Sequence, residues 1–102
     1  MEKLFIVCWG SAGQDDDLNS RAFCGVHGLY KSLPDAKNGL LECKNQMYSE
    51  VVDNPDYEEE ERDNAKATTQ VYGSVDEDYF EIDYSIGDVR CEIHIKIEEV
   101  TL

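Results

Sequence analysis

The clearest periodicity lies in the last third of the chain. Phe80, Ile82, Tyr84 and Ile86 alternate with Tyr79, Glu81, Asp83 and Ser85, and Val89, Cys91, Ile93, Ile95 and Ile97 alternate with Arg90, Glu92, His94 and Lys96. A period of two belongs to strands with one buried and one wet face. Gly87-Asp88 between the runs is a two-residue turn, so residues 79–97 read as a β-hairpin. Pairing Ile86 with Val89 opposes Tyr84 to Cys91, Ile82 to Ile93 and Phe80 to Ile95, which places every apolar side chain of the pair on one face.

A helical period precedes the hairpin. Leu33, Ala36, Leu40, Cys43, Met47 and Val51 form a stripe at steps of three and four, predicting a helix over 33–53 that packs on a sheet. Ser32 is placed to cap it, Pro34 suits the first turn, and Asp35 favours the positive end of the helix dipole. Gly39 inside the stripe weakens it, and Pro55 ends it.

The first third is less regular. Leu4–Trp9 is a continuous apolar run that predicts a strand over 3–9, central in its sheet and covered on both faces. Gly10–Ser20 carries loop residues without apolar period, and 21–31 predicts a second strand antiparallel to the first. Between helix and hairpin, Asp53–Asp63 is either a short solvated helix, with Asn54 as cap, Pro55 in the first turn and a Glu58–Arg62 pair, or a mobile loop. The acidic segment as a whole covers 53–68, and Gln70–Val75 adds a short strand. The prediction is a single α+β domain over 1–102: a ββαββ-like antiparallel sheet with one main helix on one face, extended by a short strand and a short acidic helix.

Charge changes this picture from a fold to a surface. The 102 residues hold 23 Asp plus Glu against 9 Lys plus Arg, a formal net charge of -14. Up to Val51 there are 7 acidic and 5 basic residues; beyond it there are 16 and 4. Such a field repels nucleic acid and anionic membrane and attracts basic proteins. No apolar run approaches the ~20 residues of a membrane helix or the apolar core of a signal peptide, which predicts a cytoplasmic protein. Repulsion between copies at this charge predicts a monomer, although an exposed sheet edge favours pairing.

Candidate chemistry is sparse. Cys8, Cys24, Cys43 and Cys91 include no CxxC pair, and their positions predict buried, reduced thiols. A Cys24 nucleophile served by His27 fails because three steps along a strand reverse the face. Asp15, Asp17 and Asn19 open like a calcium loop, but Ser20 and Val26 stand where glycine and glutamate are needed. Gly10–Gly13 lacks the lysine of a phosphate loop. In the hairpin register Glu81 opposes His94 and Asp83 opposes Glu92, a group that could serve a metal or acid–base chemistry, or be a wet hairpin face. No cofactor is predicted.

The remaining candidate is the acidic surface. Carboxylates along a rigid element can imitate the one charge per ~1.7 Å of duplex axis that basic clefts bind. In size, in the DYEEEERD block at Asp56–Asp63, in the VDEDYFEIDY block at Val75–Tyr84 and in lacking catalytic motifs, the chain resembles small acidic phage-encoded inhibitors of bacterial defence, anti-CRISPR proteins and other nucleic-acid mimics. The resemblance is of type and covers the C-terminal half. It implies a non-enzymatic inhibitor that occupies the basic cleft of a nucleic-acid-binding effector.

The expected partner-binding residues are Asp53, Asp56, Tyr57, Glu58, Glu59, Glu60, Glu61, Asp63, Asp76, Glu77, Asp78, Tyr79, Glu81 and Asp83, with the tyrosines as aromatic anchors. Tyr84 would join them but the register turns it inward. Two other readings are an immunity- or antitoxin-like interaction module, and a small metal-dependent or acid–base enzyme using Glu81, Asp83, Glu92 and His94.

Overall fold

Alternation in the last third produces the hairpin as read from the sequence. In the computed structural model, which describes residues 2–14 and 20–102, β4 (Tyr79–Ile86) pairs with β5 (Val89–Thr101) through Ile86–Val89, Tyr84–Cys91, Ile82–Ile93 and Phe80–Ile95. Gly87 turns the chain in the left-handed region at φ 60°. β5 runs on to Thr101, beyond the predicted end at Ile97, because its far edge meets β1 (Lys3–Gln14) from Lys3–Thr101 to Gln14–Arg90.

β2 (Ser20–Tyr30) pairs with the other edge of β1, and β3 (Gln70–Ser74) with the free edge of β4. The result is one antiparallel sheet in the order β2-β1-β5-β4-β3. The α+β class and the main helix on one face are as the sequence predicted; the short strand and second helix are both present. No helix among the described residues is long and apolar enough to cross a membrane.

α1 (Leu33–Val52) starts at Ser32, whose Oγ accepts from the Asp35 N–H at 3.3 Å. Its stripe buries Ala36, Leu40, Cys43 and Val51 against Val7, Phe80, Ile82, Ile93 and Ile95 of the sheet. Gly39 is explained by packing: a Cβ there would collide with the Tyr30 ring, so the glycine lets β2 approach the helix. The helix ends at Val52, with Asp53 as C-cap.

α2 (Glu59–Thr68) settles the form of the acidic segment and corrects its start. Asn54 caps a turn instead, its Oδ1 accepting from the Asp56 N–H at 2.9 Å. Glu58 is the N-cap, in a reciprocal box with Glu61, and this takes the place of the expected Glu58–Arg62 pair. α2 is fixed to the sheet by Thr68, whose Oγ1 accepts from Ser85 N–H at 2.8 Å, and by Asn64, whose Oδ1 accepts from Gly87 N–H at 2.9 Å.

Two expectations for the first third are corrected. The loop expected from Gly10 is strand through Gln14, and strand resumes at Ser20, because Gly10–Gln14 finds hydrogen-bonding neighbours on both sides in β2 and β5. The calcium-like Asp15, Asp17 and Asn19 lie outside the described residues. β1 is central in hydrogen bonding, but both helices pack on one face, so Leu4, Ile6 and Cys8 on the other are only half-buried. His27 is the extra residue at the Val7/Cys8 irregularity and lies on the α1 side, with its Nε2 3.8 Å from Glu42.

Candidate functional site

The acidic residues form three separate groups. Asp53, Asp56, Glu58, Glu59, Glu60 and Asp63 are exposed around the start of α2, with Glu61 half-buried in the capping box. Asp76, Glu77 and Asp78 occupy the β3–β4 turn, where Asp78 takes a left-handed φ of 57° and faces Lys37 Nζ at 3.4 Å. Glu81 and Asp83 stand on the outer face of the sheet. α2 is held at the Ser85–Gly87 end of β4 and the turn sits at the Tyr79 end, a strand of eight residues apart, or about 25 Å. The helix group, the turn group and the outer face therefore do not compose one ladder of charge.

The aromatic anchors divide in the same way. Tyr57 and Tyr84 face each other over Cys91 on the helix side, and burial is the first cause raising both hydroxyls above the usual tyrosine range. Tyr79 faces outward. Its hydroxyl lies 2.8 Å from Glu81 Oε1 and 2.6 Å from His94 Nδ1.

Around Tyr79 the hairpin register assembles a continuous polar network. His94 Nδ1 is 3.2 Å from Glu81 Oε1, and its Nε2 is 3.1 Å from Glu92 Oε2. Both ring nitrogens thus have a carboxylate neighbour. Burial, followed by the hydrogen bond to Glu81, pushes the Tyr79 hydroxyl up to about 12. That hydroxyl in turn is the main influence holding Glu81 below the usual carboxylate range.

Asp83 moves the opposite way. Burial, then the hydrogen bond it shares with Glu81, then the Glu81 and Glu92 charges raise it to about 6. Its Oδ1 is buried without a hydrogen-bond partner. The network can hold and pass a proton, but among the described residues no group of three or more His, Cys, Asp or Glu is placed to bind a metal ion.

Beside this network is a feature the sequence reading missed. An open trough of about 640 Å³ crosses the outer face, with Gly10 in its floor, Cys24 and Val26 on one side, and Tyr79, His94 and Lys96 on the other. Val26 and Leu29 on the same face are 61% and 63% exposed. The signal was the alternation of Ala22, Cys24 and Val26, which stays apolar on what proves to be the outer face. Four buried thiols were expected, but Cys43 alone is fully buried and Cys24 is exposed. Cys24 lines the trough while His27 points to α1, so the two lie on opposite faces as expected.

A second depression, of about 260 Å³, opens between Trp9, Phe23, Met47 and Tyr84 near the end of α1. Comparison with protein-family models, with curated proteins and with solved structures finds no match to this chain.

Proposed function

We propose that this chain is a non-enzymatic binding protein whose acidic surface docks on a basic, nucleic-acid-binding protein and blocks it, as an anti-CRISPR or another nucleic-acid mimic does. The observation that carries the reading is exposed charge left without cations. Of the carboxylates at 53, 56, 58–61 and 63, one is ion-paired among the described residues, Asp53 with Lys66 at 3.9 Å. Apart from the capping box of Glu58 and Glu61, charge of one sign at this density destabilises the fold by self-repulsion, yet it steers association with a cationic partner. The partner is an effector that normally holds DNA or RNA, and the chain acts on it as a cytoplasmic monomer.

The test is affinity capture from nuclease-treated bacterial lysate, followed by mass spectrometry. Wild type is compared with a variant in which Glu58, Glu59, Glu60, Glu61, Asp76, Glu77 and Asp78 become the corresponding amides. Recovery of one nucleic-acid-binding protein by wild type alone, weakened by washing at ~0.5 M salt, supports the reading. Equal recovery by both proteins refutes it.

The Tyr79–His94–Glu92 network supports a second reading, a small acid–base enzyme, because its groups already contact one another at hydrogen-bond distance. Under that reading His94→Ala abolishes activity while leaving partner binding intact.

A further inference from the structure

We propose that the docking element for the partner is the outer-face trough, and that its occupant is an extended Lys/Arg-rich segment of the basic protein carrying one aromatic side chain. This rests on the function proposed above and names the part of the surface that does the binding. The choice follows from charge and shape together. The trough floor is backbone at Gly10, where an added Cβ would find only the Phe23 carbonyl oxygen, at 4.0 Å. Open space therefore stands over the floor, between Cys24 and His94, the partners of Gly10 in β2 and β5.

A planar side chain laid there packs on Cys24 and Val26 and lies against the His94 ring, the kind of aromatic contact favoured in binding hot spots. Glu81, Asp83 and Glu92 stand beside the trough on the same face, directly across β4 and β5. Lys96, which lines the trough, is already engaged by Glu98 at 2.8 Å. The carboxylates on the β4/β5 side of the trough thus repel an anionic occupant and suit a cation beside an apolar anchor. The α2 carboxylates, on the opposite face, add long-range attraction to the same basic partner.

The experiment measures fluorescence anisotropy of three labelled pentapeptides: Lys-Arg-Trp-Arg-Lys, Lys-Arg-Gly-Arg-Lys and Glu-Glu-Trp-Glu-Glu. Each is titrated with wild type, with Gly10→Val, and with a variant carrying Glu58→Gln, Glu59→Gln and Glu60→Gln. Valine suits a strand and Gly10 has room for a side chain, so Gly10→Val fills the trough while keeping the fold, checked by its melting temperature.

Wild type should bind the basic tryptophan peptide about tenfold tighter than the basic glycine peptide. Gly10→Val should remove that preference, and the α2 variant should weaken both basic peptides by one common factor. A tryptophan preference of one, or one that survives Gly10→Val, overturns the trough while leaving charge-driven docking standing. Equal binding of the acidic and basic tryptophan peptides overturns both the trough proposal and the function on which it rests.

Discussion

Replacing Asp83 by asparagine should stabilise the protein, and by an amount that depends on pH. Asp83 sits beside Glu81 and Glu92, with Oδ1 buried and unpartnered, and its carboxyl is raised from 3.8 to about 6. A group raised on folding binds its proton more tightly in the folded state. Its contribution to stability is complete at low pH and is lost as pH rises through about 6. The shift of roughly two units corresponds to about 3 kcal/mol at ~1.4 kcal/mol per unit, and partial solvent contact reduces this to about 1–2.

Asparagine keeps the shape, carries no charge and can donate its amide N–H to Glu81. For a domain of this size the gain should raise the melting temperature by about 5–10 °C at pH 8. It should shrink as pH falls from about 6 toward 4, where wild-type Asp83 is protonated in the fold. Thermal melts by circular dichroism at pH 4, 5, 6, 7 and 8 measure it, with Asp76→Asn in the exposed turn as the control. A destabilised Asp83→Asn, or a gain equal at pH 4 and pH 8, would refute the reasoning.

Other expectations concern packing and capping. Leu40→Ala removes a fully buried side chain between α1 and the sheet and should cost about 2–5 kcal/mol in urea unfolding. Gly39→Ala should destabilise by about 1–3 kcal/mol despite alanine's better helix propensity, because the Tyr30 ring occupies the space. A double-mutant cycle with Tyr30→Ala should show coupling between the two sites. Ser32→Ala deletes the acceptor for the Asp35 N–H and should cost about 1 kcal/mol, read from the same unfolding curves.

Those elements that a local period specifies were legible in the sequence. The β4–β5 register follows from two alternating runs and one turn, and the cap and stripe of α1 follow from residues within a few turns of each other. Gly10–Gln14 was misread because nothing local marks Gly-Ser-Ala-Gly as strand; its partners are Arg90–His94 and Ser20–Cys24, supplied by the tertiary fold. The uncovered outer face was missed for a related reason. Leu4–Trp9 is apolar on both sides, which suits a fully covered strand, yet both helices pack on the same layer.

The polar network lay between these cases. Opposition of Glu81 to His94 and of Asp83 to Glu92 followed from the register, whereas the reach of the Tyr79 hydroxyl into the group depends on side-chain geometry. The acidic groups were read as one surface because they are close in sequence. The fold separates them, since α2 crosses the helix side while Glu81 and Asp83 alternate to the other.

The position of β5 in the sheet also orders events in time. Its pairing with β1 joins Lys3 to Thr101, so the central ladder closes a loop spanning nearly the whole chain. Such distant pairing is slow to find, and on a ribosome it waits until the last strand has emerged. Until then β1 and β2 can form only a hairpin whose free β1 edge and apolar side chains are open to any neighbouring strand. The interval before β5 arrives is therefore when the nascent chain most needs shielding from aggregation, and strong negative charge in the segment synthesised meanwhile helps to keep chains apart.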